Sequence, residues 1–198
     1  INSSAKRLER LIQNFLVYAQ IEVMLSNPPK IAAMQNISIT NPGHVIKEVS
    51  LNKSKQLKRE KDLILDITDT SVQISTENLR KIIEELVDNA FKFSSPGTPV
   101  NIKAIITKDF FTIQIGDKGR GMTREQITNI GSYMQFERKF YEQQGMGLGL
   151  IIAKRLIELH DGSLTIGSDM GHGTNFIIKL KCKNLSETTL KRKKELET

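Results

Sequence analysis

The helix predicted between Ser75 and the Ser94-Ser95-Pro96-Gly97 segment constrains the fold more than any other stretch of the chain. Its apolar residues recur at intervals of three and four, which is the pattern of a helix with one wide apolar face. They are Ile82, Ile83, Leu86, Val87, Ala90, Phe91 and Phe93. A face of this width has to be covered by a sheet, so we expect an α/β domain with this helix at its centre.

The polar side of the same helix carries Glu85, Asn89 and Lys92 at i, i+4 and i+7. A carboxylate, an amide and an ammonium therefore share one stripe. Such a stripe suits a metal ion together with a polyphosphate. From this helix alone, the solvent-exposed charged face of an ordinary amphipathic helix is an equally good interpretation.

Composition limits the classes of protein to consider. A chain of 198 residues with 38% hydrophobic residues can bury one main core. The single Cys182 precludes an internal disulfide, and no apolar run approaches the roughly 20 residues of a membrane span. The chain starts at Ile1 in a helical pattern, which is typical of a fragment and leaves room for an upstream sensor or membrane anchor. We expect a cytoplasmic protein or the cytoplasmic part of a membrane-bound one.

The net charge of +7 does not indicate a nucleic-acid-binding protein. The basic residues are spread along the chain, without the aromatic and basic platform of such proteins. An anionic small ligand or an acidic partner surface explains the charge equally well.

The rest of the chain has alternating helix and strand patterns. A helix over residues 3–25 has an apolar seam that fits either a dimerising helical hairpin or this domain's own surface. Ser26-Asn27-Pro28-Pro29 ends it at a predicted domain boundary. Further predicted elements are a strand near 35–39, a helix over 42–58, strands at 62–67, 100–107, 110–115, 164–167 and 175–180, and helices at 123–130 and 150–159.

Two glycine-rich segments are candidate ligand-binding loops. Gly116-Asp117-Lys118-Gly119-Arg120-Gly121 places a carboxylate between glycines at a strand end, which indicates a pocket or, alternatively, a mere tight turn. Gly145-Met146-Gly147-Leu148-Gly149-Leu150 precedes a helix and could cradle phosphate with its N–H groups. It lacks the Gly-Lys-Ser or Gly-Lys-Thr of a Walker loop. Between them, the irregular residues 122–141 are predicted to form a mobile lid.

Taken in order, these motifs resemble the ATP-binding domain of bacterial sensor histidine kinases, in the wider family of gyrase, heat-shock chaperone and mismatch-repair ATPases. ELVDNAFKFS is similar to the asparagine box, DKGRG and GMGLGL to two glycine boxes, FERKFY to the phenylalanine box and GHGTNF to the last glycine box. The likeness covers residues 37–181, with a further one over 4–25 to the second helix of a dimerisation hairpin. It implies a two-layer α/β sandwich of the Bergerat type, a mixed sheet with helices on one face, preceded by a long helix. The implied layout is residues 1–27 hairpin helix, 28–36 linker, 37–183 catalytic domain and 184–198 polar basic tail.

The resemblance also implies roles for individual residues. Asn89 would ligate Mg²⁺, and Lys92 would neutralise phosphate charge. Asp117 would accept a hydrogen bond from the adenine amine, with Thr174 supporting that contact. Glu85 would either activate a nucleophile or assist Mg²⁺. The other implied nucleotide contacts are Phe93, Gly119, Gly121, Met122, Tyr141, Gly145, Gly147, Leu148, Gly149 and Leu150.

The lid departs from the family pattern. Arg138 is the predicted catalytic cation, although Lys139 beside it is an alternative. Glu142 stands where many relatives carry a second arginine, so the lid chemistry stays open.

The implied function is transfer of the γ-phosphoryl group of Mg-ATP to a histidine. His44, His160 and His172 all lack the sequence setting of an acceptor and are interpreted as structural, so the acceptor would lie outside this chain. The implied cofactors are ATP and Mg²⁺. The implied partners are the dimerisation hairpin that carries the acceptor, in a homodimer, and the receiver domain of a response regulator. A nucleotide-responsive module that does not transfer phosphate is the alternative. A chaperone-type or gyrase-type ATPase clamp would need a second domain that this chain has no room for after Leu180.

Overall fold

A five-stranded mixed sheet forms one layer of the domain in a computed structural model, which describes residues 2–131 and 148–183. The helices of these ranges are α1 (Asn2–Leu25), α2 (Pro28–Gln35), α3 (Pro42–Gln56), α4 (Thr76–Phe93), α5 (Arg124–Gly131) and α6 (Leu148–Leu159). The strands are β1 (Leu63–Ile67), β2 (Val100–Thr107), β3 (Phe110–Asp117), β4 (Ser163–Asp169) and β5 (Gly173–Lys181). The predicted elements beyond residue 40 are confirmed, with small differences at their ends.

The strand order is β1-β2-β3-β5-β4. Strands β1 and β2 are parallel, and α4 makes the crossover between them, whereas the other pairs are antiparallel. Helix α4 packs between α3 and α6 and contacts β3. The predicted α/β sandwich is therefore confirmed, with α4 in the middle of the helical layer.

The sequence of α4 explains why this helix is central. Its apolar residues from Leu79 to Phe91 are almost completely buried, while every second residue of β2 points to solvent. The hydroxyl of Ser75 accepts a hydrogen bond from the backbone N–H of Asn78 at 3.1 Å. Of the two N-terminal caps that the sequence allows, Ser75 and Thr76, the structure therefore has Ser75. Among the helices of the described residues, none is long and apolar enough to cross a bilayer.

The expected strand near residues 35–39 is wrong, because α2 continues through Gln35 and only Ile39 pairs, with Val72. The two prolines end α1 but also occupy the first positions of α2, where proline is favoured and its missing N–H costs nothing. The Asn27 side chain accepts from the N–H of Lys30 and caps the new helix. Helix α2 thus lies within the predicted linker, and the domain boundaries stay a prediction.

His160, which follows α6, is a buried histidine that the structure keeps neutral. Its ring is only 2% exposed. Nε2 lies 2.8 Å from the amide nitrogen of Asn78, which can only donate, and Nδ1 has no hydrogen-bond partner among the described residues. Burial lowers the pKa of His160 from its ordinary value of 6.5 to about 4.

This pKa predicts a loss of stability in mild acid. Below pH 6.5 the unfolded chain binds a proton on this histidine while the folded protein does not, so the stability present at neutral pH falls as the pH approaches 4. From pH 7 to pH 5 the contribution is about 2 kcal/mol. Urea unfolding of wild type and His160→Gln at both pH values measures it.

On acidification from pH 7 to pH 5, His160→Gln should lose about 2 kcal/mol less of its unfolding free energy than wild type loses. His172→Gln is the matched control, because His172 is exposed, and it should behave as wild type does. An equal acid sensitivity of His160→Gln and wild type would contradict the buried neutral state.

Candidate functional site

An open cleft of about 470 Å³ lies beside the C-terminal half of α4, where β3 ends and where β5 and α6 begin. Its lining comprises Asn89, Phe93, Asp117, Arg120, Gly121, Met122, Gln126, Leu150, Thr174 and Phe176. The lining combines polar groups with aromatic and aliphatic side chains, which suits a flat ligand with polar edges.

Seven of the residues predicted from sequence come together in this cleft: Asn89, Phe93, Asp117, Gly121, Met122, Leu150 and Thr174. Glu85, Lys92, Gly119, Leu148 and Gly149 do not line it. Arg138, Tyr141, Gly145 and Gly147 lie outside the described residues, as does the second half of the predicted lid, residues 132–141.

Three lining residues were missed by the sequence prediction. Arg120 stands between the two glycines of DKGRG, and that placement was a usable signal. Gln126 belongs to a capping box, in which its side chain accepts from the N–H of Thr123 and its own N–H donates to the Thr123 hydroxyl. Phe176 alternates inward on β5, next to Ile115 of β3.

Asp117 ends β3 with its side chain almost fully buried, at 9% exposure. Its Oδ1 accepts from the backbone N–H of Gly119 at 2.7 Å, and the backbone N–H of Thr174 also donates to the carboxyl group. Burial raises the pKa of Asp117, and these two hydrogen bonds offset part of the increase. The carboxyl group is thus fixed by the main chain at the cleft wall, with acceptor capacity left for a ligand.

Glycines allow the main chain itself to form this part of the wall. Gly121 and Gly173 have φ values of +68° and +93°, which favour glycine. A Cβ atom would lie 2.0 Å from the carbonyl oxygen of Asp169 at Gly121, and 2.0 Å from that of Asp117 at Gly173. Any side chain at either position would therefore separate β3 from the β4–β5 hairpin.

The polar stripe of α4 is divided between three environments. Asn89 is half-buried and faces the cleft. Lys92 is exposed, and its Nζ lies 5.0 Å from the centroid of the Phe93 ring. The Arg120 guanidinium contacts the same ring at 4.3 Å. The rim of the cleft at Phe93 is therefore positively charged, as an anionic ligand requires.

Glu85 lies behind the cleft and is only 4% exposed. Its carboxylate accepts from Lys81 at 2.6 Å and from Arg10 of α1 at 3.3 Å. A Cβ atom on Gly149 would lie 1.9 Å from Oε2 of Glu85, so the start of α6 packs directly on this carboxylate. Two cations and the N-terminus of α6 thus surround Glu85. Neither of its two ion pairs was predicted from the sequence.

Arg10 also connects α1 to Asp88, the residue before Asn89. The guanidinium lies 2.7 Å from Oδ2 of Asp88, and Lys53 of α3 contacts the other carboxylate oxygen. Burial alone would raise the pKa of Asp88, but the hydrogen bonds from Lys53 and Arg10 outweigh it and lower the pKa. Arg10 therefore attaches α1 to the helix that carries Asn89.

A double-mutant cycle of Arg10→Ala and Asp88→Asn should give a favourable coupling of about 0.5–1 kcal/mol, because Arg10 is half-exposed while Asp88 is mostly buried. Urea unfolding measures it, and 1 M NaCl should reduce it. The matched control is the exposed pair of Lys103 and Asp66 on the outer face of the sheet, with a coupling close to zero. Equal couplings in the two cycles would show that α1 is not held by this contact.

Metal binding at the cleft would depend on few protein ligands. Among residues 2–131 and 148–183, no three His, Cys, Asp or Glu side chains form a metal-binding group. The amide oxygen of Asn89 is a hard, neutral donor of the kind that Mg²⁺ accepts beside water and phosphate oxygens. The donor set fits an ion carried largely by a phosphate ligand.

The sandwich fold, the cleft and its buried carboxylate together define an ATP-binding domain of the ATPase type. The chain belongs to the family described as "Histidine kinase-, DNA gyrase B-, and HSP90-like ATPase", which matches residues 74–184.

Curated relatives include bacterial sensor proteins. The chain is 34% identical over 124 residues to the heme sensor protein HssS of Staphylococcus saprophyticus, which covers 62% of this chain and 26% of that protein. It is 28% identical over 145 residues to the adaptive-response sensory kinase SasA of Synechococcus elongatus, covering 69% and 38%. It is 29% identical over 191 residues to the sensor protein SrrB of Staphylococcus aureus, covering 89% and 30%. The matched region thus spans between 26% and 38% of these relatives.

Solved structures with the same fold include histidine kinases. The Acinetobacter baumannii histidine kinase AdeS aligns with a TM-score of 0.66 and 18% identity, over 92% of this chain and 82% of that one. The mycobacterial sensor histidine kinase MprB aligns with a TM-score of 0.61 and 23% identity, over 74% and 97%. The predicted resemblance to histidine kinase ATP-binding domains is confirmed.

Proposed function

We propose that this chain binds Mg-ATP in the cleft beside α4 and transfers its γ-phosphoryl group to a histidine on a dimerisation hairpin. The observation that carries the proposal is the position of Asp117, a buried carboxyl group held by two backbone N–H groups, in the lining of the same cleft as Asn89. A base-recognising acceptor and a metal-ligating amide in one cleft fit a nucleotide with its phosphates.

The base would lie against the apolar wall formed by Phe93, Leu150 and Phe176. In this position its exocyclic amine would donate to Asp117. The carboxylate repels a keto oxygen at the same place, so adenine is favoured over guanine.

The phosphates would extend toward Asn89 and the positive rim. Asn89 would hold Mg²⁺ through its amide oxygen, while Lys92 would balance phosphate charge. When bound, Mg²⁺ neutralises charge that develops on the phosphate oxygens. Gly145, Gly147, Leu148 and Gly149 are proposed to contact the phosphates from the start of α6.

In the transfer step, the acceptor imidazole nitrogen would attack the γ-phosphorus in line. A nitrogen–phosphorus bond forms as the bond to the bridging oxygen breaks, and ADP leaves with the electron pair. Arg138 would stabilise the transferring charge, and Tyr141 would help to close the lid. Glu85 forms ion pairs with Lys81 and Arg10. These pairs support a role in holding the surrounding side chains in place rather than the role of a general base.

Helix α1 supports the proposed partners. Five of its apolar residues are between 45% and 65% exposed: Leu8, Ile12, Phe15, Leu16 and Val23. They recur at helical spacing and would pack in the hairpin of a homodimer. The receiver domain of a response regulator would then accept the phosphoryl group. We expect the site to work in the cytoplasm, where ATP is available.

Calorimetric titration with ATP and ADP, with and without Mg²⁺, tests the binding half of the proposal. We expect both to bind, ATP more tightly with Mg²⁺, and GDP at least about tenfold more weakly than ADP. Transfer is measured on the full-length protein with γ-labelled ATP. An absence of ATP and ADP binding at millimolar concentration would refute the site, whereas binding without transfer would favour a non-transferring regulatory module.

A further inference from the structure

A row of three side chains runs across the sheet from the cleft wall into the β4–β5 hairpin. Thr174 of β5 pairs in register with Asp117 of β3 on one side and with Ser168 of β4 on the other. Asp117 and Thr174 line the cleft, whereas Ser168 stands behind them. The hydroxyl groups of Ser168 and Thr174 are 3.0 Å apart.

The hydrogen bonds of Ser168 determine which hydroxyl donates. Its Oγ lies 2.7 Å from the carbonyl oxygen of Gly173, which can only accept, so Ser168 donates its single hydroxyl proton to this oxygen. The backbone N–H of Met122 donates to the same Oγ at 2.9 Å. Because Ser168 has no second proton, the remaining contact requires Thr174 to donate to Ser168.

The orientation of Thr174 then follows. Its only proton points away from the cleft toward Ser168, so its oxygen offers the cleft lone pairs alone. The Asp117 carboxyl group accepts N–H groups from Gly119 and Thr174, and its remaining lone pairs are acceptors as well. Both polar side chains on this wall therefore call for a ligand group that donates hydrogen bonds.

We propose that Ser168 is a specificity-determining positioning residue, which holds the Thr174 hydroxyl as an acceptor and so makes the site favour a 6-amino purine over a 6-keto purine. The inference rests on the proposed nucleotide site. It adds to Asp117 a second acceptor whose polarity is set by a residue outside the cleft. Removing Ser168 frees the Thr174 hydroxyl to rotate and donate to a keto oxygen.

The test compares the Kd values of ADP and inosine diphosphate. Adenine has an amino group at position 6 and an acceptor at N1, whereas hypoxanthine has a keto oxygen at position 6 and an N–H group at N1. Wild type should bind ADP more tightly. Ser168→Ala should reduce the ratio of the Kd of inosine diphosphate to the Kd of ADP about tenfold, which is the effect of reversing one hydrogen bond. The matched control is Ser163→Ala, an exposed serine on the same strand, which should keep the wild-type ratio.

Thr174→Val tests the same polarity while Ser168 keeps its hydrogen bonds with Gly173 and Met122. If Thr174 accepts, the variant loses ADP affinity and keeps or gains affinity for inosine diphosphate. If Thr174 donates in wild type, inosine diphosphate loses affinity instead, and the inference is overturned. This variant decides the question even where Ser168→Ala fails to fold.

If Ser168→Ala weakens the binding of both nucleotides equally, Ser168 has a merely structural role and the inference is overturned. The inference would also be overturned if wild type prefers ADP and Ser168→Ala has the same ratio of Kd values. That result would leave the proposed function intact. Wild type that binds neither nucleotide would overturn the proposed function, and this inference with it.

Discussion

Replacing Asn89 by alanine should reduce Mg-ATP-dependent phosphoryl transfer by roughly 10²- to 10³-fold, as loss of one group that stabilises transition-state charge does. Asn89 is the one cleft-lining amide on α4, and among the described residues no acidic cluster could take over a metal ion. Binding of ADP in the presence of EDTA should change little, because Asp117 and the apolar wall remain. The two measurements together separate a metal-ligating role from a general loss of the site.

The matched control is Asn101→Ala on the solvent-exposed face of β2, which should transfer phosphate at the wild-type rate. Transfer by Asn89→Ala at the wild-type rate would refute the assignment of the metal ligand. Equal weakening of ADP binding with and without Mg²⁺ would instead show that Asn89 holds the base side of the cleft in shape.

Replacing Arg59 by methionine should destabilise the protein by about 3–5 kcal/mol, the range for removing one partner of a buried ionic network. Arg59 is only 6% exposed, and its guanidinium closes the C-terminal end of α4. Its five N–H groups reach Asp62 and the four carbonyl oxygens of Phe91, Ser94, Ser95 and Thr98. The last carbonyl groups of a helix have no partner within the helix, so methionine would leave those of Phe91 and the C-cap Ser94 buried and unsatisfied.

Urea unfolding followed by circular dichroism measures the loss. Arg80→Met is the matched control, since Arg80 forms a bidentate pair with Glu48 at the surface and should cost far less. Comparable losses in the two variants would contradict a special role for the Arg59 network. Arg59→Lys should not rescue stability, because an ammonium cannot reach the same acceptors in a planar fork.

The parts of the fold that the sequence predicted are those with a local cause. The apolar face of α4 and its Ser75 cap depend on residues within one helix, and the β2–β3 hairpin depends on two adjacent strands. Asp117 was predictable as a site residue because glycines flank it. The strand expected near 35–39 failed because the proline pair supports a helix start as well as a helix stop.

The contacts that sequence could not predict join residues far apart in the chain. Arg10 is 75 residues from Glu85, and the Arg59 guanidinium binds carbonyl groups more than 30 residues away. A charged residue in an amphipathic pattern is predicted to face solvent, and nothing local marks these two as partners of α4. The hydroxyl of Ser168 likewise acquires its role only when β4 and β5 pair.

The main-chain wall at Gly121 and Gly173 has a consequence for inhibitor selectivity. At Gly121 and Gly173 the main chain contacts main chain directly, so a single substitution there cannot reshape the cleft without separating the strands. Compounds that contact only this wall and Asp117 would therefore fit any chain with the same glycines. Arg120 and Gln126 also line the cleft, and they do so with side chains rather than with main chain. A compound meant to discriminate this protein from others of its family should therefore be extended toward Arg120 and Gln126.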